Sequence, residues 1–376
     1  MLLTLMAVCG TIYLMNSEVF RYKIKEFIMK NRALTKLGYV VVTDYVKANT
    51  GKDVSDALQK VIDSNPNKTI YFPDGEYLLS KPILTPADPE KSVSLKLSNY
   101  AKLKAADNWM SDEAMVRLGA SHPKNDINTP GSNYFFEGGI IDGSNIANGI
   151  SIDGGRETAI RNLSIKRTVV GLTIKCGANN GSSDCDIDTV NIVGNGTPES
   201  IGVVVDGADN TFTNMRIANF QTGVKITGAG NFLKNIHPLF IYQEDSDFNH
   251  KGGVEYAECI GFDDQSGGNW YDICYPDNYA TGFRMLTKTV STYNNCYCYW
   301  YSSKGGFETA FESEGQFNSI ITASKVDFRD DTDNAFLKVG EAGGTGVLAN
   351  PMFKPELCAN KSYEDYLQGK IIYRTK

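Results

Sequence analysis

The sequence predicts an all-β chain, a single-stranded right-handed parallel β-helix, because one short phrase recurs along it. The phrase is a glycine followed by an apolar, an outward-facing and another apolar residue, and its clear copies begin at Gly149, Gly171, Gly202 and Gly223. Looser copies begin at Gly253, Gly282, Gly306 and Ala335, so successive copies lie 21 to 31 residues apart. Short alternating segments between Gly, Asn and Asp turns are typical of coils of strands and not of helical hairpins.

Each copy also carries a second phrase, usually polar-apolar-x-apolar, beginning at Asn162, Asn214, Asp272 and Asn295. Side chains alternate between the two faces of a strand, and a single coil cannot bury its apolar face alone. The stacked coils are therefore expected to form one interior column from the second apolar residue of the glycine phrase. The members of this predicted column are Ile152, Ile174, Val205, Ile226 and Met285.

Two regions are predicted along the chain: a leader over residues 1–35 and a β-helix domain over residues 36–376. For the apolar residues 1–15 three interpretations stay open: an atypical signal or anchor, a segment packed on the solenoid end, or an extension before a start at Met15. Residues 53–63 have helical apolar spacing at Val54, Leu58, Val61 and Ile62, and we expect this helix to cap the open solenoid. Residues 237–252 form the largest candidate lateral loop, and residues 362–376 form a tail.

Composition excludes some classes of partner. A net charge of −7 and a pI near 5.2 give no basic footprint for nucleic acid. The three histidines and the irregularly spaced cysteines suggest neither a metal site nor a cofactor. Cys296 and Cys298 occupy inward positions and are expected to be small buried hydrophobes. Cys176 and Cys185 bracket a turn, and a bridge between them is open in an oxidising compartment.

Two blocks of the sequence resemble a known superfamily. Val42 to Tyr77, with its Ile-Tyr-Phe-Pro-Asp-Gly-Glu-Tyr segment, resembles the opening of pectate-lyase-like β-helices. Glu137-Gly-Gly-Ile-Ile-Asp-Gly143 resembles the first full coil in relatives of glycoside hydrolase family 28, the polygalacturonases. The resemblance spans about residues 40–355 and implies the fold and a polysaccharide-binding face along the first strand sheet. It does not imply a reaction, since the superfamily includes hydrolases, lyases, epimerases and viral tailspikes.

The catalytic motifs of the polygalacturonases are absent as such. Their nearest echo is Gly261-Phe-Asp-Asp264, which has an extra residue between the glycine and the two acids. Asp263 and Asp264 therefore have two interpretations, as turn residues or as an acid pair, and no catalytic role is transferred from the family.

The outward positions of the glycine phrase predict ladders of charged side chains. The first ladder reads Ser151, Thr173, Val204, Lys225, Glu255, Arg284 and Glu308, and the second begins Asp153, Lys175, Asp206 and Thr227. Groups two coils apart stand about 9–10 Å apart before their side chains tilt. Glu255 with Glu308, and Asp153 with Asp206, are thus candidate carboxylate pairs for an inverting glycosidase. The alternative is a solvated salt-bridge ladder, because the charges alternate in sign.

The same positions supply candidate binding groups. Lys225, Arg284 and Lys175 are candidate cations for an acidic sugar, and Tyr297 is a candidate outward platform in an aromatic-rich stretch. We expect a polysaccharide- or oligosaccharide-active protein, with a glycoside hydrolase favoured. A uronate-cleaving lyase and a non-catalytic tailspike-type binder are the alternatives. We further expect an extracellular, cell-surface or phage-virion location, a monomer or homotrimer, and membrane association only through residues 1–15.

Overall fold

The computed structural model describes residues 33–129, 134–176, 182–240, 254–286, 290–300, 308–328, 334–341 and 344–353. Throughout these ranges the named strands pair in parallel and stack coil upon coil, so the predicted parallel β-helix is confirmed. The leader (apart from its last residues), most of the lateral loop and the tail lie outside the described residues.

One sheet carries the repeated glycine phrase, and we call it the glycine sheet. Among the described residues it has ten strands. They are Ile83–Leu84, Ala114–Leu118, Asn148–Ile152, Val170–Ile174, Ile201–Val205, Thr222–Ile226, Ile260–Asp264, Thr281–Met285, Thr309–Ser313 and Ala335–Val339.

The second sheet, which we call the bend sheet, has fifteen strands among the described residues. They are Tyr39–Val41, Thr69–Phe72, Gly75–Leu79, Ser94–Leu97, Ala101–Ala105, Phe135–Glu137, Ile140–Asp142, Ala159–Thr168, Asp186–Gly194, Thr211–Ala218, Phe232–Leu239, Trp270–Asp272, Thr292–Asn294, Ile320–Thr322 and Val347–Ala349. Two further strands, Tyr297–Tyr299 and Lys325–Asp327, form a separate parallel pair. In the later coils they take the place that the second halves of the longest strands of the bend sheet have in the earlier coils.

The repeated glycine is required by close approach between coils. A Cβ at Gly171 would stand 2.5 Å from the carbonyl oxygen of Gly202, and a Cβ at Gly202 would stand 2.5 Å from that of Gly223. None of these three glycines has the positive φ that would demand glycine on conformational grounds. The phrase therefore marks a column in which the backbone of the next coil occupies the space of a side chain.

The long strands of the bend sheet turn sharply at one residue in the left-handed region. Asn162, Thr189, Asn214 and Asn235 have φ values of 55° to 57°, in a region that asparagine tolerates better than most residues. The same bend recurs in later coils at Ile273, Asn295, Ala323 and Asn350. Residues that follow their bend by the same number of sequence positions form straight columns along the solenoid.

The interior column of the glycine sheet follows the predicted register. Ile152 aligns with Ile174, then Val205 and Ile226, all of them buried. Between Ile226 and Met285 the column contains Asp264, a carboxylate with 1% of its surface exposed. The predicted column is confirmed, but it includes one acid that the apolar pattern did not place there.

The predicted cap is a helix over Ser55–Asp63, two residues shorter than expected. Leu58, Val61 and Ile62 are buried, and Val54 packs against the core from just outside the helix. Gln59 completes the cap: its amide donates to the carbonyl of Leu84 at 3.0 Å and accepts from the Leu84 N–H at 2.8 Å. The helix thereby satisfies the open edge of the first strand of the glycine sheet.

Six cysteines lie in the described part of the chain. Cys296 and Cys298 are buried as expected, Cys176 is exposed, Cys185 is buried, and no disulfide joins the last two. Within the described part of the chain, no helix has the length and apolar character needed to cross a bilayer.

Candidate functional site

The outward ladder of the glycine sheet differs from the predicted one in its later coils. From Lys225 the register passes to Asp263, then Arg284, and then Glu312 and Lys338. The predicted ladder positions of Glu255 and Glu308 are therefore wrong. The glycine column continues at Gly261 and Ala310, because their carbonyl oxygens lie 2.5 Å and 2.8 Å from the positions that a Cβ would take at Gly223 and Gly282; Gly253 and Gly306 lie outside the described residues.

Neither Glu255 nor Glu308 occupies the ladder position that was predicted for it on the glycine sheet. Glu255 is exposed and precedes a short 3₁₀ helix, Tyr256–Glu258. Glu308 is 1% exposed and lies beside Tyr256, where burial and this carboxylate together raise the pKa of the tyrosine. The two residues do not form the ladder pair with Arg284 between them that the sequence suggested.

Asp263 and Arg284 form a closed pair. Arg284 donates from Nε to Oδ1 and from Nη2 to Oδ2 of Asp263, both at 2.9 Å, and Gln265 donates a further hydrogen bond at 2.7 Å. Asp263 is 3% exposed, so its carboxylate is buried and fully occupied. Within the described residues Lys225 forms no ion pair, whereas Arg284 pairs with Asp263 and, through Nη1 at 3.7 Å, with Glu314.

Asp153 and Lys175 belong to a second paired cluster, near the start of the solenoid. Lys175 Nζ lies 3.3 Å from Asp153 Oδ1 and 2.9 Å from Glu113 Oε2, and Arg117 Nε lies 2.5 Å from Asp153 Oδ2. Asp206, two coils from Asp153, accepts from the Thr227 hydroxyl at 2.8 Å. The salt-bridge interpretation of the glycine sheet therefore fits the described contacts.

Asp264 is neither a turn residue nor half of an acid pair with Asp263. The two neighbours point to opposite faces of one strand, as alternation requires. The Asp264 carboxylate accepts from Ser291 Oγ at 2.6 Å, Gly267 N at 2.9 Å and Asn269 Nδ2 at 3.2 Å. It is a buried structural acid, held by donors from its own and the next coil.

A different set of side chains gathers on the bend sheet. Two residues after each bend, successive coils place Arg216, His237, Tyr275, Tyr297 and Lys325 in one outward column. Four residues after the bend, the last three of these coils place Asp277, Tyr299 and Asp327 beside it. We call these two columns together the aromatic face.

His237 is fixed by three neighbours on this face. Its Nε2 lies 2.9 Å from Asp277 Oδ2, and its Nδ1 lies 3.2 Å from Arg216 Nη1. Its ring stacks on Tyr275 with centroids 3.8 Å apart. Asp277 is 9% exposed, and its other oxygen, Oδ1, is buried without a hydrogen-bond donor among the described residues. An oriented His–Asp pair with spare acceptor capacity is typical of proton-transfer sites.

Tyr297 links the column to the second carboxylate. Its hydroxyl donates to Asp327 Oδ2 at 3.3 Å, and burial together with Asp327 raises the pKa of Tyr297 to about 12. The residue faces outward as predicted, but it is not an open platform. Tyr275 stacks on one side at 6.4 Å between ring centroids, and Lys325 Nζ lies 4.5 Å from the ring centroid. The ring therefore offers its edge and hydroxyl to a ligand.

Asp277 and Asp327 flank Tyr299 in the same column, two coils apart. Two coil steps separate equivalent backbone positions by about 9–10 Å. This spacing of the backbone is close to the roughly 6.5–9.5 Å that separates the two carboxyl groups in inverting glycosidases, and Tyr299 lies on the coil between the two acids. The acid pair that the sequence suggested for the glycine sheet thus has a counterpart on the bend sheet.

His237, Asp277 and Asp327 are not among the site residues that the sequence predicted. A signal for the column was present in the second phrase: its variable position is Arg216 in one copy and Tyr297 in another. Following that position from coil to coil would have predicted the outward column, although it would not have identified Asp277 as the partner of His237.

Fold and site together define a parallel β-helix of the pectate-lyase-like class with an acid- and aromatic-lined face. The chain belongs to the rhamnogalacturonase A/epimerase, pectate lyase-like family, whose model matches residues 39–255. No curated protein sequence matches it significantly.

Several solved structures are similar in fold. An alginate lyase from Paenibacillus sp. str. FPU-7 shares 13% identity with a TM-score of 0.55, over 77% of this chain and 97% of the lyase. A tailspike of E. coli bacteriophage HK620, in complex with a pentasaccharide, shares 10% identity with a TM-score of 0.60, over 91% of this chain. The tailspike gp49 of Acinetobacter baumannii bacteriophage Fri1, a capsular polysaccharide depolymerase, shares 11% identity with a TM-score of 0.55, over 90% of this chain. The chain spans 64% and 63% of the lengths of these two tailspikes.

Proposed function

We propose that this protein is a glycoside hydrolase that cleaves a polysaccharide on the aromatic face. The observation that carries the proposal is the placement of Asp277 and Asp327 on one column, two coils apart, with His237 hydrogen-bonded to the first and Tyr297 to the second. One carboxyl group protonates the leaving glycosidic oxygen while the other activates a water molecule. His237 orients Asp277, and Tyr297 orients Asp327.

We choose the aromatic face because its carboxylates are paired differently from those of the glycine sheet. On the glycine sheet, Asp263 and Asp153 are held by guanidinium or ammonium groups, so approach of a substrate would require breaking an ion pair. On the aromatic face, Asp277 Oδ1 is buried with neither a hydrogen-bond donor nor a cation beside it among the described residues, whereas the comparable oxygen of Asp153 lies 3.3 Å from Lys175 Nζ. A buried acceptor of this kind is costly unless a ligand or water satisfies it.

A lyase is the second candidate, and His237 favours it. The imidazole lies between an exposed guanidinium, Arg216, and a carboxylate, Asp277. Such a site can remove a proton from a uronate while the arginine neutralises the sugar carboxylate. Membership of a pectate lyase-like family and the fold shared with an alginate lyase are compatible with this candidate. Because the proposed substrate is a large polysaccharide, it also supports our proposal of an extracellular or virion-surface location.

One experiment separates these functions. The protein is incubated with alginate, polygalacturonate, rhamnogalacturonan and a set of bacterial capsular and O-antigen polysaccharides. New reducing ends and ultraviolet absorbance of unsaturated products are measured together. A hydrolase gives reducing ends without absorbance, and a lyase gives both. Retention of a polymer without either product would identify a binder and contradict the proposed reaction.

A further inference from the structure

A surface cavity of about 350 Å³ opens on the bend sheet, upstream of the aromatic face. It is lined by Asn99, Gly139, Ile140, Asn162, Leu163, Ser164, Thr189 and Asn191. Its volume falls in the range of small-ligand sites. None of the lining side chains is charged.

The polar groups of this cavity are unusually available. Asn99, Asn162, Ser164 and Asn191 make no side-chain hydrogen bond with any described residue, and Thr189 makes one, to Asp188. In the following coils the equivalent groups are engaged with one another. Asn235, for example, donates to Asn214 at 2.9 Å, and Asn214 in turn donates to Asp188 at 3.0 Å. Amide and hydroxyl groups without a described hydrogen-bond partner therefore converge on the cavity, whereas Asn214 and Asn235 in the following coils are engaged.

The cavity is aligned with the aromatic face. Ser164 and Asn191 stand two residues after their bends, in the same column as Arg216 and His237. Ser164 lies three coil steps, about 14 Å, from His237 along the solenoid axis. A chain of sugars running along this column would reach the cavity and the two carboxylates at the same time.

We propose that this cavity is a distal subsite that binds an uncharged sugar unit of the polysaccharide. Amide groups supply both donors and acceptors, which matches the paired character of sugar hydroxyl and acetamido groups. The absence of a charged lining residue favours a neutral sugar over a uronate, whose carboxylate would lose its hydration without gaining a cation. The inference rests on the proposed function for the direction of the chain and for the position of the cleaved bond.

The variants that test the subsite remove its hydrogen-bonding groups without disturbing a bend. Ser164→Ala with Asn191→Ala deletes two free groups from strand positions that have ordinary backbone angles. Ser164→Tyr instead fills the cavity. Thr173→Ala, on the outward face of the glycine sheet, is the matched control. Equal melting temperatures establish that all the variants fold.

Two readouts distinguish the subsite from the catalytic proposal. The first is retention on an array of rhamnogalacturonan, capsular and O-antigen polysaccharides, with alginate and polygalacturonate as the polymers that consist of uronates alone. The second is kcat/KM on size-graded oligosaccharides of the polymer that the wild type cleaves. We expect the double variant and Ser164→Tyr to reduce retention at least ten-fold. We also expect them to lower kcat/KM at least ten-fold for long oligosaccharides, with no change for the shortest substrates.

The inference fails if these variants match the wild type, or if short and long substrates lose activity equally. Variants that match the wild type would leave the proposed reaction intact. Conversely, wild-type retention without cleavage would contradict the proposed reaction, while loss of that retention in the variants would still support the subsite. A wild type that retains no polymer on the array overturns the subsite as well.

Discussion

The outward faces of the two sheets arise from the same repeat but treat charge in opposite ways. On the glycine sheet, carboxylates alternate with cations from coil to coil, and Asp263 accepts hydrogen bonds from Nε and Nη2 of Arg284. On the aromatic face, carboxylates meet neutral or titratable partners, His237 and Tyr297, and one oxygen of Asp277 has no described donor. A ladder of stacked side chains stabilises a solenoid when neighbouring side chains carry opposite charges. A carboxyl group in such a ladder is available for chemistry where no cation is paired with it.

The largest expected effect follows from removing the carboxylates of the aromatic face. Asp277→Asn and Asp327→Asn keep the side-chain volume but remove the groups that protonate the sugar oxygen and activate water. Each change should lower kcat by about 10²–10⁴-fold on the polysaccharide that the wild type cleaves. Reducing-end release, measured with folded protein, checks this expectation. Activity within a few-fold of the wild type in both variants would remove the catalytic site from this face.

The next effect concerns stability and the opposite face. Arg284→Ala leaves the buried Asp263 carboxylate without its cation and should lower the free energy of unfolding by about 3 kcal/mol. Cleavage by the folded protein should remain as in the wild type. Urea unfolding and the same reducing-end assay measure the two quantities. Combining Arg284→Met with Asp263→Leu removes both charges and should restore most of the stability. An activity loss that persists in the stable double variant would make the glycine sheet part of the site.

A smaller effect is expected when only the orientation of Asp327 is disturbed. Tyr297→Phe removes the hydroxyl that donates to the carboxylate but keeps the ring between Tyr275 and Lys325. The loss of one hydrogen bond to a charged group should lower kcat by about ten-fold with little change in KM. Steady-state kinetics test this split. A raised KM with unchanged kcat would instead make the hydroxyl a sugar-binding group.

The smallest effect is predicted for the exposed end of the charge ladder. Glu312 pairs with Lys338 at 2.7 Å, and the lysine side chain is 59% exposed. Glu312→Gln should change the free energy of unfolding by no more than about 1 kcal/mol and leave cleavage unchanged. Thermal melting and the cleavage assay suffice to check it. A loss of cleavage comparable with that of Asp277→Asn would erase the contrast between the two faces.

Much of the fold was predictable because its physical causes are local. The glycine phrase marks the places where the next coil takes the position of a Cβ, so copies such as Gly171 and Gly202 set the register directly. The pattern failed at Gly253 because Gly261 is also followed by an apolar residue. Only contact with the neighbouring coil distinguishes the two. This misassignment moved the expected carboxylate from Asp263 to Glu255, and the choice of Gly306 in place of Ala310 moved the next one from Glu312 to Glu308.

The site was less predictable, because its members are joined by stacking and not by sequence spacing. Asp277 is separated from His237 by forty positions, and a segment of variable length intervenes. In that coil the bend residue is Ile273, and not an Asn as at Asn162 and Asn214, so the second phrase, which begins at Asp272, was aligned one residue too early. Asp264 shows the same limit in the core, since its donors on the next coil, such as Ser291, cannot be recognised from an apolar pattern.

The most direct test of the account is the crystal structure of the Asp277→Asn/Asp327→Asn double variant with an oligosaccharide of the polymer that the wild type cleaves or retains. We expect sugar density along the aromatic face, with a glycosidic oxygen between the side chains at positions 277 and 327. Density that instead follows the ladder from Lys225 to Lys338, with the aromatic face unoccupied, would contradict it.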